Sequence, residues 1–350
     1  MKVVKRNGKC YRVPSILAPF QEEMYLHLID WKWAHITKDP GHYTRRGERM
    51  DYDAILPESV RGDFPVIYRR VLEAFKQHQE SEEFSFKLHQ HFNHMASSQA
   101  ANVNLFLPIL LSPHANDVLR QVKRDFGELA VDKLDHGFQF EYWGPKCDNR
   151  GLLRDHTKLF GTDADIAIAY YDNTGKRDPR LWLIEHKLTE KEFTECHGIT
   201  SKGRKSGIHD CKKSFTELLQ NMDYCYYRQA RKFRYWEITA DNQGFFGNHR
   251  QYSECPFKGG MNQLWRNQLL GLAVESDADS PYKRVYFSVV RHPENRLLDN
   301  TINEYRALVG DNERFSGLTS LDVVKAAAAV SNPELDRWVA WYRDLYRLRG

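Results

Sequence analysis

The run Leu181-Trp182-Leu183-Ile184-Glu185-His186-Lys187 constrains the chain more than any other stretch, because four apolar residues close on an acid and a base two positions apart. It reads as a strand. Side chains alternate across a strand, so Glu185 and Lys187 project from one face while Ile184 and His186 point to the other. A carboxylate and an ammonium therefore stand side by side.

A second short strand precedes it. In Ala164-Asp165-Ile166-Ala167-Ile168-Ala169-Tyr170 the alternation puts Asp165, Ala167 and Ala169 on one face, with Asp165 its only acid. Asp172 to Lys176 and Asp178-Pro179 are turn chemistry, which predicts an antiparallel hairpin that brings Asp165 near Glu185 and Lys187. Two carboxylates on neighbouring strands offer hard oxygen ligands to Mg²⁺, and a lysine beside them can orient or help deprotonate a metal-bound water.

This arrangement, Asp165 followed by Glu185-His186-Lys187, resembles the PD-(D/E)xK nuclease superfamily, whose motif is an acid opening one core strand and E-x-K ending the next. Ala164 stands where the motif's proline is expected. The resemblance implies an α/β restriction-endonuclease-like core, a mixed central sheet flanked by helices, with helical N- and C-terminal elaborations. It implies hydrolysis of DNA with Mg²⁺ or Mn²⁺ held by Asp165 and Glu185, Lys187 positioning the attacking water, and a role in defence against foreign DNA. Ser97-Ser98-Gln99 resembles the first core helix of an uncharacterised bacterial group of such proteins, which would turn Gln99 toward the site. Gln263, in Gln263-Leu264-Trp265-Arg266-Asn267-Gln268-Leu269-Leu270, is the candidate for the glutamine that many superfamily members carry on a helix after E-x-K. A homodimer or a partner protein of a defence system fits the same resemblance. A competing reading, a nucleic-acid-binding or assembly module that keeps the fold without cleavage, is opposed by the intact trio of acid, acid and lysine.

Around this centre the chain divides into residues 1–88, a helical elaboration; 89–295, the core; and 296–350, a helical extension. Helical spacing predicts helices over 21–36, 66–80, 117–134, 215–233, 260–274, 301–308 and 321–348, with strands over 138–143 and 284–290 and loops over 38–49 and 188–214. Glu128 then lies on the helix before the sheet, where superfamily members often carry a further acid, although a solvated helical glutamate is the preferred reading of this position. His89, His91 and His94 match no standard zinc spacing.

The net charge of +4 is mild, so a nucleic-acid partner must be sought in local charge. Lys202, Arg204 and Lys205, then Arg228, Arg231 and Lys232, follow the proposed site and are candidate phosphate contacts. Cys196, Cys211, Cys225 and Cys255 can form a four-thiolate set for Zn²⁺ or an iron–sulfur cluster, though none makes a CxxC pair. The first residues lack the apolar core of a signal peptide and the longest apolar run is too short to cross a bilayer, so the expectation is a cytoplasmic protein with no membrane partner.

Overall fold

Both strands of the expected hairpin lie inside a six-stranded mixed sheet. The computed structural model describes residues 1–45, 47–145, 149–157, 161–200 and 210–349. In chain order, two antiparallel hairpins come first: β1 (Lys2–Arg6) with β2 (Lys9–Val13), and β3 (Gly41–Arg45) with β4 (Glu48–Tyr52), on either side of the helix Pro19–His35. The expected loop over 38–49 is thus a hairpin. Gly41 is required there, because a Cβ would stand 2.4 Å from the Ile55 side chain.

The central sheet is built from β5 (Phe126–Leu129), β6 (Phe138–Tyr142), β7 (Ala164–Asp172), β8 (Pro179–Lys187), β9 (Arg284–Arg291) and β10 (Phe315–Thr319). Its order is β10-β9-β8-β7-β5, and β6 also pairs with β7. β7 is antiparallel to β5, β6 and β8, whereas β8, β9 and β10 run parallel. β8 is therefore central, which explains its continuous apolar run.

Alternation sorts the strands onto two cores as expected. Ile166, Ile168, Tyr170, Trp182 and Ile184 pack with the helices Ser98–Leu110 and Pro333–Leu345; Ala167, Ala169, Leu181 and Leu183 pack with Met261–Ser276. Ser97 starts the first of these helices by accepting from the Ala100 amide. Gly271 lets the last lie close on the sheet, where a Cβ would stand 3.0 Å from the Val285 side chain.

Further expectations are corrected: the elaboration over 1–88 carries two hairpins beside its helices, and the helix over 321–348 is two, Ser320–Ala328 and Pro333–Leu345. The helix over 117–134 is the helix Ala115–Val122 followed by β5: Lys123 turns extended, and Gly127 sits at a register shift where a Cβ would meet the Asp172 carbonyl oxygen at 2.4 Å. The helix over 215–233 is broken after Gln220, where extended Asn221 caps the next turn through Asp223, and resumes only as Tyr226–Gln229. The C-terminal extension is not wholly helical, since β10 adds the sixth strand from beyond residue 295. No helix among the described residues is long and apolar enough to cross a membrane.

Candidate active site

Asp165, Glu185 and Lys187 meet where β7 begins and β8 ends. The Ile166–Ile184 pairing puts Asp165 next to Glu185, and Asp165 Oδ2 accepts from the His186 amide at 2.6 Å. Glu185 is only 2% exposed, so its charge depends on donors. It has three: Lys187 Nζ and Gln263 Nε2 each lie 2.7 Å from Oε1, and Asn267 Nδ2 lies 2.7 Å from Oε2. Gln263 and Asn267 are one turn apart on the helix Met261–Ser276 and so share its site-facing side. Gln263 Oε1 also accepts from the Thr194 amide at 3.0 Å, fixing the chain that leaves β8.

A third carboxylate completes the group. Glu141 lies between Phe140, paired with Ile166, and Tyr142, paired with Ala164, which sets it beside Asp165. Its φ of 50° is left-handed, a conformation uncommon for glutamate. Gln99 Nε2 donates to Glu141 Oε1 at 2.9 Å, while Gln99 Oε1 accepts from the His89 amide at 2.8 Å. Gln99 thus orients Glu141. Sequence reasoning misses this acid, since in an alternating strand it looks like an outward polar position; the polar Gln99 opposite is the available signal.

The charges are crowded. Loss of hydration, then the Asp163 charge, pushes the Glu141 carboxyl from the usual 4.5 to about 8. Loss of hydration and the charges of Glu185 and Glu141 hold Asp165 well above its ordinary range. Burial disfavours the Lys187 ammonium, yet Glu185, Glu190 and Asp165 outweigh burial and keep it protonated above the ordinary lysine range. Three crowded carboxyls beside one ammonium keep protons on Asp165 and Glu141 in the metal-free site, and a hard divalent cation would take the place of those protons. Among the described residues, no group of three or more His, Cys, Asp or Glu side chains is already drawn together tightly enough to hold a metal ion.

The trio opens into a cleft of about 820 Å³, whose far wall comes from residues 14–52, including Tyr25, Tyr43 and Tyr52. His89, His91 and His94 line it too, although their spacing points to no role; His91 Nδ1 is 2.6 Å from the Tyr43 hydroxyl. They sit in turns before the helix at Ser98.

Other candidates lie elsewhere. Glu128 is on β5, 3.5 Å from Arg177, and the acid that joins the site is Glu141. Arg228 pairs with Glu237 at 2.8 Å, and neither it nor Arg231 nor Lys232 lines the cleft. Lys202, Arg204 and Lys205 lie outside the described residues. Cys196, Cys211, Cys225 and Cys255 line one separate cavity.

A family model described as "Restriction Endonuclease associating with ARP" matches residues 33–347. No curated protein and no solved structure matches.

Proposed function

Because the chain belongs to the family of restriction endonucleases described as associating with ARP, we propose that it hydrolyses DNA phosphodiester bonds with Mg²⁺ or Mn²⁺ in the cleft beside β8. The observation that carries this reading is the convergence of Asp165, Glu185 and Lys187 at one end of the central sheet, with Glu141 beside them. Asp165, Glu185 and Glu141 fit the cation, being hard oxygen donors crowded into one buried site where a cation would replace the protons they hold. When bound, the ion supplies positive charge to the scissile phosphate and acidifies a water.

The remaining work falls to the chain. Gln263 and Asn267 fix both oxygens of Glu185, so the carboxylate presents its remaining lone pairs in one orientation. Lys187, held protonated, serves as a fixed positive charge that orients the water and stabilises charge developing on the phosphate; it is not the base. Gln99 holds Glu141 in the wall of the cleft, beside Asp165. Restriction of DNA and association with ARP are taken from the family description as parts of the same proposal.

Purified protein incubated with plasmid, linear and single-stranded DNA, with Mg²⁺ or with a chelator, tests it. Metal-dependent breakage is expected; DNA binding with no breakage in any metal would favour a non-cleaving module instead.

A further inference from the structure

Four of the six cysteines come from separate stretches of chain and end at one place. Cys196 leaves the segment after β8, Cys211 precedes the helix Phe215–Gln220, Cys225 precedes the turn Tyr226–Gln229, and Cys255 precedes the turn Pro256–Lys258. Their side chains line a single small cavity, closed by Trp236, Phe257 and Trp265. The bland alternative is four buried thiols that merely fill space. Two observations speak against it.

First, Cys196, Cys211, Cys225 and Cys255 reach one cavity from four separate stretches of chain, whereas thiols that merely fill space have no reason to converge. Second, Asn262 lines the same cavity, is fully buried, and has no hydrogen-bond partner for either side-chain atom among the described residues. A buried amide left unpaired is costly, so packing alone explains Asn262 poorly.

We propose that Cys196, Cys211, Cys225 and Cys255 hold a structural thiophilic metal centre, Zn²⁺ or an iron–sulfur cluster, distinct from the cleft beside β8. The sulfurs ring the cavity rather than meeting at a point, so the metal either draws them inward or fills the gap as a cluster. A thiol binds metal as its thiolate, so each ligand gives up a proton when the metal enters. The centre would brace the catalytic helix. Asn262 faces the cavity while its neighbour Gln263 holds Glu185 and the Thr194 amide, two residues before Cys196.

The test is metal, acid-labile sulfide and visible absorption of anaerobically purified full-length protein, alongside Cys→Ser variants. Stoichiometric zinc, or iron with sulfide and visible absorption, is expected in the wild type. The same metal should be absent from C225S and C255S but kept in C10S, whose thiol is exposed on β2, and in E185Q, whose change lies in the other site. Should the cysteine variants fail to fold, thiol labelling of native wild type decides: four protected thiols that react after metal removal support the centre. Metal-free protein, a metal content unchanged in C225S and C255S, or four freely reacting thiols would overturn it.

Discussion

The Asn267 amide donates to Glu185 Oε2 at 2.7 Å, and both side chains are buried, at 1% and 2% exposure. Asn267→Ala removes a donor from a carboxylate that has little access to water. The variant should lose about 1–3 kcal/mol of stability, and its cleavage should fall, since Glu185 is held in place by one donor fewer. Thermal melts and cleavage rates check this; cleavage at the wild-type rate would show that Asn267 only packs.

Glu141 sets the sign of a pH dependence. Its folded value of about 8 lies above the usual 4.5, so its protonated form is the one that folding favours. The contribution is fully present below pH 4.5 and is lost as pH rises toward 8. Metal-free protein should therefore melt at progressively lower temperature across that window, and Glu141→Gln should flatten the trend and melt higher at pH 8 than wild type. Mg²⁺ should restore wild type and not the variant. Equal slopes for the two proteins in chelator would remove Glu141 from the site.

Lys187 is 9% exposed and paired with Glu185 at 2.7 Å. Alternation alone suggests a residue facing the site that could be replaced without cost to the fold, but burial says otherwise. Lys187→Met leaves a buried carboxylate without its ammonium and should cost about 3–5 kcal/mol in the absence of metal. Cleavage should fall by about 10²-fold or more. Lys187→Arg should recover stability better than activity, separating the structural from the chemical role, and equal recovery of both would argue against a chemical one.

Much of this is legible in the sequence, for physical reasons that differ by residue. The period of two in 164–170 and the acid–base pair after Ile184 specify the hairpin, its faces and the trio, because strand alternation survives any tertiary context. Gln99 and Gln263 come from resemblance, and both reach the trio or Glu141. Glu141 is invisible because its entry depends on a left-handed backbone, which composition does not encode. Asn267 is hidden among polar residues on one helix face until its register with Gln263 is known. The break at Lys123 defeats the helical spacing over 117–134, since its apolar positions fit a helix and a short strand alike.

Salt dependence tests where DNA binds. Removing one phosphate-neutralising side chain lowers the slope of log affinity against log salt by about 0.9 for duplex DNA. Arg228 is held by Glu237 and lies off the cleft, so Arg228→Glu should leave the slope unchanged. Lys191 lines the cleft, and Lys191→Glu should flatten it. The opposite pattern, measured by DNA-binding titrations at several salt concentrations, would move the interface to the Arg228 side.

The most direct measurement is cleavage of plasmid DNA in Mg²⁺ by wild type, Asp165→Asn and Glu185→Gln, each shown by thermal melting to be folded. Wild type should nick or linearise the plasmid in Mg²⁺ and stop in chelator, and both variants should be inactive while still binding DNA. Breakage by Asp165→Asn or Glu185→Gln at the wild-type rate, or breakage by wild type that persists in chelator, would contradict a metal-dependent nuclease centred on β7 and β8.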